Sequence, residues 1–279
     1  MAEGSPVSSM SSSLPRWRLL WSPPADGATH MAIDVAMVEA VAEGKAPPTV
    51  RFYCWEPPCL SLGRRQSVSE VDLQRCQAEG VEVVRRPTGG RAILHANELT
   101  YSVVFPETDL RAMGGVLETF RRFSEAFAHA LRALGVSDVA LAPRLDPVAR
   151  GSGFVCFEVP TDYELTVNGR KIMGSAQWRH QGVVLQHGSL PLAGDPGAIA
   201  RYLKNGPDPE RLRRRTITLQ EAAGRPVAFE EAAAAILEAF RSLLAIETQP
   251  GGLTPEEQAR IPEWRERLSV LRRSEVGSM

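Results

Sequence analysis

Glu164–Met173 reads ELTVNGRKIM. An Asn-Gly pair between two alternating segments is the strongest short signal for a hairpin with a type I′ turn. That turn sets Val167 opposite Arg170, Thr166 opposite Lys171, Leu165 opposite Ile172 and Glu164 opposite Met173. Directly opposed residues share a face. One face therefore carries Leu165, Val167 and Ile172 and is a candidate core face; the other carries Glu164, Thr166, Lys171 and Met173. Lys171 is then either a solvent lysine turned away from the core or a cation lining a pocket. Hairpin-joined strands are antiparallel, which argues against a doubly wound parallel sheet.

The flanking segments agree. Trp17–Trp21, Thr49–Trp55, Val81–Arg86, "AILH", "LTYSVVF" and "GVVLQHGSLPL" are strand candidates, the second stopped by Pro57-Pro58. Thr29 is the expected cap of a helix ending at Gly44, and Ser69 of a short helix ending at Gly80. From Thr108 to Gly135 apolar residues recur at three- and four-residue steps, and "EEAAAAILEAFRSLLA" is helical; Thr254 caps the last helix. The fold class expected is α/β in the α+β sense: a mixed, largely antiparallel sheet flanked by helices. Residues 1–15 read as a disordered tail, 16–206 as a catalytic domain, and 207–279 as a helical C-terminal portion packed on it. Pro207–Arg215 reads as the linker between the last two.

Composition narrows the function. The 279 residues carry a net charge of −1, and hydrophobic residues make up 43%. There is no basic bias toward nucleic acid; "RLRRR" (Arg211–Arg215) is too short to supply one and reads as a solvated helix face or linker. No apolar run is long enough to span a bilayer, and the Ser-rich N-terminus lacks the apolar core of a signal peptide. Cys54, Cys59, Cys76 and Cys156 form neither a C-x-x-C pair nor a disulfide framework, so no metal is expected and the setting is a reducing cytoplasm.

Three stretches carry candidate chemistry. Phe154–Arg179, FVCFEVPTDYELTVNGRKIMGSAQWR, sets Cys156 upstream of Lys171. Cys156 is either packed, as buried thiols often are, or a nucleophile held as thiolate by a nearby cation. In "RRPTGGRAILHANELTYS" (Arg85–Ser102) the pair Gly89-Gly90 allows close backbone approach and an anion- or carbonyl-binding nest, with Arg85, Arg86 and Arg91 adding charge. The spacing is neither that of a P-loop nor that of a dinucleotide fold. His95 there is a general base or a packed strand-end histidine. In "LQHGSLPL" (Leu185–Leu192), Gln186 and His187 end a strand, and His187 either acts on a bound group or is hydrogen-bonded structure.

Together and in this order, the stretches resemble the lipoate/biotin protein ligase family. Within it, Cys156–Leu165, CFEVPTDYEL, resembles the cysteine context of the cysteine-dependent octanoyl-[acyl carrier protein]:protein N-octanoyltransferase branch, as do "TGGRA" and "HANELTYS". The likeness covers Trp17 to Leu271 in layout, with its specific motifs in 85–102 and 156–189.

The resemblance implies a catalytic domain like that of biotin and lipoate ligases. It implies Cys156 and Lys171 as catalytic residues, and an acyl cleft lined by Arg86, Thr88, Gly89, Gly90, Arg91, His95, Gly174, Ser175, Ala176, Gln186, His187 and Gly188. The implied donor is octanoyl-acyl carrier protein and the acceptor a lipoyl-domain protein such as the glycine cleavage H protein. No nucleic acid, membrane or cofactor is expected, and a monomer is. An ATP-dependent lipoate ligase, an amidotransferase between lipoyl domains and a non-catalytic binding module are the alternatives. A thiol of pKa ~8.5 is only a few per cent ionised at neutral pH. An ammonium at ~4 Å and an effective dielectric of ~20 favours the thiolate by up to ~4 kcal/mol before desolvation is subtracted.

Overall fold

The computed structural model describes residues 16–142, 155 and 164–270. Cys156 lies outside the described residues, as do the N-terminal tail and the last nine residues. Among those described, the principal sheet has six strands. These are β1 (Arg16–Trp21), β2 (Thr49–Tyr53), β6 (Glu98–Pro106), β10 (Gly174–His180), β11 (Val183–Pro191) and β12 (Glu247–Pro250). Their order is β10-β11-β6-β2-β1-β12. The pairs from β10 through β2 are antiparallel, whereas β2–β1 and β1–β12 are parallel. The sheet is therefore mixed and largely antiparallel, as expected. Two three-stranded sheets flank it. One is built from β3 (Cys59–Leu62), β4 (Glu82–Arg85) and β5 (Ile93–His95), in the order β4-β3-β5. The other is built from β7 (Val139–Leu141), β8 (Leu165–Val167) and β9 (Arg170–Lys171), in chain order.

Alternation on β6 explains how the sheet is covered. Tyr101, Val103 and Phe105 join Phe123, Phe127 and Phe240 in one core, built with α3 (Gly115–Ala133) and α6 (Phe229–Leu244). Val104 joins Leu185, Ile33 and Met37 on the opposite side, under α1 (Gly27–Ala42). Ser102 lies on that same side and hydrogen-bonds Asp34 of α1. One register row crosses the sheet through Arg51, Ser102, His187 and Ala176. Three of these residues are polar, and they meet the buried face of α1.

Several local expectations shift. Asp26, not Thr29, caps α1: its Oδ1 accepts from Thr29 N at 2.8 Å, and Thr29 is already inside the first turn. Asp72 likewise caps α2 (Leu73–Ala78), and Ser69 sits in a separate single turn before it. Both sequences hold two cap-forming residues three apart, and in each the carboxylate takes the role, upstream of the hydroxyl at α1 and downstream of it at α2. The Pro207–Arg215 stretch is not an extended linker. Pro209–Arg215 is helix α4, with Asp208 at its cap and Leu212 buried.

The hairpin forms with Asn168 at φ 51° and Gly169 at φ 73°, and with Thr166 opposite Lys171. Its supposed solvent face is buried too, since Glu164, Lys171 and Met173 are each no more than 5% exposed.

C-terminal elements complete the sheet and one of its faces. β12 adds to β1, α5 (Leu219–Ala223) precedes α6, and α7 (Pro255–Leu268) packs on α1. The expected cap of α7 is present as a capping box, with Thr254 and Glu257 bonding reciprocally. Glu257 also receives Arg18 of β1, Nη1 to Oε2 at 2.7 Å, and neither side chain is open to solvent. Removing one member of a buried pair strands the other charge, at about 3–5 kcal/mol. Glu257→Ala should lower unfolding free energy by about that amount, read as a shift in urea midpoint at constant slope. A shift worth under about 1 kcal/mol would mean that the pair does not tie α7 to the sheet.

Candidate functional site

The Gly89-Gly90 turn lies between the small β4-β3-β5 sheet and the principal sheet. Arg86, buried at the end of β4, clasps it. Its Nε and Nη2 donate to Gly89 O at 3.2 and 2.9 Å, and Nη2 donates to Arg91 O at 2.7 Å. Nη1 donates to Ser61 O and Oγ at 3.1 and 3.0 Å. Gly90 takes φ +88°, which L side chains rarely adopt. The turn rests directly on Gly63, where an added Cβ would lie 2.1 Å from Gly90 O.

Two polar chains hold the turn from beneath. In the first, Thr88 Oγ1 donates to His187 Nε2 (2.7 Å) and His187 Nδ1 donates to Asp34 Oδ2 (2.9 Å). Asp34 Oδ1 accepts from Arg51 Nη1 at 2.7 Å and from Ser102 Oγ at 2.9 Å. Arg51 in turn donates to His30 Nδ1 (2.8 Å), and His30 Nε2 donates to Cys54 O (2.8 Å). In the second chain, Ser61 Oγ donates to His95 Nε2 (2.7 Å) and His95 Nδ1 donates to Glu98 Oε1 (2.8 Å). Glu98 also accepts from Thr100, and from Ser189 at 2.5 Å. Trp55 stacks on His95 with ring centroids 4.0 Å apart and donates to Thr100 Oγ1.

Burial sets the protonation states. It pushes the Asp34 carboxyl up, but the His187 hydrogen bond and the Arg51 charge outweigh it and hold the group below its usual range. His187 is held below its ordinary value by burial, against the pull of Asp34. Burial, then the Arg51 cation, brings His30 down to about 3. The chain is thus a carboxylate between neutral imidazoles and one guanidinium. Burial raises the thiols of Cys54, Cys59 and Cys76, the last to about 11, so none of the three favours thiolate.

These residues wall a cleft. Arg86, Gly90, His95, Gly174, Ser175, Ala176, His187 and Gly188 all line it, with Met31, Tyr53, Trp55 and Ile93 supplying its apolar surface. Each polar side chain in its wall is already engaged within the protein. Ser175 bonds Tyr101 OH at 2.9 Å, Tyr53 OH reaches Asp34, and Ser189 reaches Glu98. Thr88 lies beneath the turn, and the Gly89 and Arg91 carbonyls serve the Arg86 clasp.

Two expected residues point elsewhere. Gln186 donates to Tyr101 OH and accepts from Gln177, on the α3 side of the sheet. Lys171 is not among the described residues of the cleft wall; it is buried and ion-paired with Glu164. A carboxylate at its ammonium offsets much of the field that a lone lysine would impose on a thiol. Val155, the residue before Cys156, is buried and bridges Ala92, two residues past Gly90.

Sequence reading missed Asp34, Arg51, Ser61, Gly63 and Glu98. The signal for the polar four was a charged or polar residue in or at the edge of an otherwise apolar helix or strand, as in "AIDVAM" and "TVRFY"; Gly63, just past β3, carried none.

A glycine turn is thus clasped over a mixed sheet, above a cleft whose polar side chains are satisfied within the protein. The description "Lipoyl protein ligase A/B catalytic domain" matches residues 26–241, and the chain belongs to that family. Octanoyltransferase LipM of Kyrpidia tusciae is 42% identical over 252 residues, 87% of this chain and 92% of that protein. Octanoyltransferase LipM of Symbiobacterium thermophilum is 44% identical over 252 residues, 87% and 91%. Among solved structures, lipoate-protein ligase A bound with ATP aligns at a TM-score of 0.75 and 25% identity, over 90% of this chain and 95% of that one. P. falciparum LipL1 in complex with lipoate aligns at 0.65 and 15% identity, over 89% and 71%, a likeness of fold.

Two outcomes follow from this geometry. Gly63→Ala must move backbone and should cost about 1–3 kcal/mol of stability. Gly89→Ala, whose added carbon meets nothing within 4 Å, should not. Equal urea midpoints for the two variants would refute the seating of the turn on Gly63.

His30 gives the second. Its ordinary value is 6.5 and its folded value about 3, so below pH 6.5 the unfolded chain binds a proton that the folded chain refuses. Stability therefore falls as pH falls through that window, by about 2 kcal/mol between pH 7 and pH 5 for this group alone. His187 shifts in the same direction. His30→Gln can keep both hydrogen bonds without titrating, and should flatten the pH dependence by that amount. An unchanged slope would show that His30 is not the linked group.

Proposed function

We propose that the protein is an octanoyltransferase of lipoate biosynthesis. It takes an octanoyl group from octanoyl-acyl carrier protein onto Cys156 and passes it to a lysine of a lipoyl-domain protein, the glycine cleavage H protein being one such acceptor. The observation that carries the reading is identity of 42% and 44%, over nearly nine-tenths of the chain, to proteins named as octanoyltransferases. The chemistry of the cleft is compatible: its polar side chains are engaged with one another, so its surface toward a ligand suits an apolar chain. The bridge from Val155 to Ala92 brings the chain to the Gly-Gly turn one residue before Cys156.

In the first half-reaction the Cys156 thiolate attacks the donor's thioester carbonyl. A carbon–sulfur bond forms to Cys156, the one to the carrier breaks, and the carrier leaves as a thiol. In the second, the acceptor's neutral amine attacks the new thioester. An amide forms, the Cys156 sulfur leaves, and the proton lost by the amine returns to it. Both steps develop an oxyanion, for which backbone N–H groups near Gly89-Gly90 and Gly174-Ser175 are the candidate donors. Lys171, coupled to Glu164, is the candidate for sustaining the thiolate and handling its proton. Thioester exchange is close to isoenergetic, so the reaction needs no ATP.

The experiment is intact mass after mixing the protein with octanoyl-acyl carrier protein alone. The parent should gain one octanoyl group, lose it to hydroxylamine, and transfer it to an added lipoyl-domain protein without ATP. Cys156→Ser should gain nothing and be nearly inactive, because a hydroxyl is far harder to ionise. Serine at Cys54, Cys59 or Cys76 should leave transfer largely intact. Modification of the acceptor by Cys156→Ser, or transfer only with ATP and free fatty acid, would replace this reading with that of a ligase.

A further inference from the structure

We propose that Asp34 is the positioning residue of the acyl site: its carboxylate fixes His187, His187 fixes Thr88, and Thr88 holds the Gly89-Gly90 turn against β11. The proposal rests on the functional reading above.

The direction of each hydrogen bond follows from the one before it. A carboxylate only accepts, so His187 Nδ1, 2.9 Å from Asp34 Oδ2, carries the ring proton. Nε2 is then a lone pair, and Thr88 Oγ1, 2.7 Å away, must donate to it. Thr88 also accepts from Arg64 N through its backbone oxygen at 2.9 Å. It is therefore held through side chain and backbone at once, immediately before Gly89. Arg86 fixes the carbonyls of the turn from the small sheet. Thr88 ties the same turn to the principal sheet through His187, whose β11 neighbours Gly188 and Ser189 line the cleft.

Asp34 cannot swing away from this duty. Its other oxygen accepts from Arg51 and Ser102, so its two oxygens are committed to donors from β2, β6 and β11. An asparagine at this position has only one acceptor oxygen. Turning its amide toward Arg51 opposes two donors. Turning it toward His187 drives the imidazole into the other tautomer, with Nε2–H donating toward Thr88 and the hydroxyl deprived of its acceptor. Either arrangement loosens the turn without touching a substrate atom.

The test uses Thr88→Val, which keeps shape and removes the donor, and Thr88→Ser, which restores it. In octanoyl transfer from octanoyl-acyl carrier protein to a lipoyl-domain protein, Thr88→Val should lower kcat about 10- to 100-fold with little change in donor KM. Thr88→Ser should recover kcat to within about threefold of the parent. Amide hydrogen exchange at Gly90 and Arg91 should accelerate at least about tenfold in Thr88→Val while β6 is unchanged. Nitrogen NMR of the imidazoles should show His187 protonated at Nδ1 in the parent and shifted toward Nε2 in Asp34→Asn. Should Asp34→Asn fail to fold, the Thr88 pair and the parent spectrum still decide. Parental kcat and exchange in Thr88→Val, or a parent His187 protonated at Nε2, would overturn the proposal. If even the parent transfers no octanoyl group, the functional reading fails, and the exchange and tautomer measurements still decide whether Asp34 positions the turn.

Discussion

A carboxylate sealed from water has to be satisfied from within the protein, and the structure is arranged around doing this for Asp34. Its partners are Arg51 on β2, Ser102 on β6 and His187 on β11, with Tyr53 at 3.3 Å. An unpaired buried charge is costly enough to forbid most alternatives. The pairing therefore fixes more than one helix position. It sets the rotation of α1, the register of three neighbouring strands and the tautomer of His187. Arg51 is held as firmly, with its guanidinium 3.9 Å from the centre of the Tyr53 ring and in contact with His30. The apolar cores on the two faces of the sheet could tolerate small slips, whereas this row of polar contacts cannot. A one-residue shift of β11 would turn His187 to the other face of the sheet.

The arginines around the glycine turn show a related economy. "RRPTGGR" looks like an anion site in the sequence. In the fold, Arg85 donates to the carbonyls of Gly63, Arg64 and Gln66, and Arg86 to those of Ser61, Gly89 and Arg91. Two cations thus order two loops by collecting backbone oxygens. Arg86 lines the cleft, yet it acts first as a fastener, and a substitution there would be felt through backbone position before it was felt through charge.

What was legible in the sequence follows the range of the forces involved. Asn168-Gly169 announced its hairpin because the turn chemistry is local, and the pairing of Thr166 with Lys171 came with it. The alternation of β6 and β11 likewise separated the faces. The burial of Lys171 was not legible. Its face is covered by segments distant in sequence, among them Thr216, which bridges Lys171 directly. Asp34 was missed because one acid inside an apolar helix carries no pattern. Its meaning depends on Arg51, 17 positions away, and on His187, 153 away. Capping failed by a smaller margin, since Asp26 and Thr29 both suit the role and only geometry ranks them.

The same long-range satisfaction bears on what the cleft accepts. Arg86, Ser61, His95, Thr100, His187 and Ser189 would make a wet, polar wall if their hydrogen bonds faced inward. Instead each is engaged with a neighbour or a carbonyl. A polar group on an entering ligand would give up its water and find partners already taken, at about 1–3 kcal/mol per group. A saturated acyl chain gives up nothing of the kind, and gains by leaving water at about 0.8 kcal/mol per buried methylene. In the proposed transfer this asymmetry selects for the chain and leaves the thioester carbonyl as the one polar atom needing reception. The backbone of a glycine turn, with no side chain in the way and two networks holding it still, is suited to receive it.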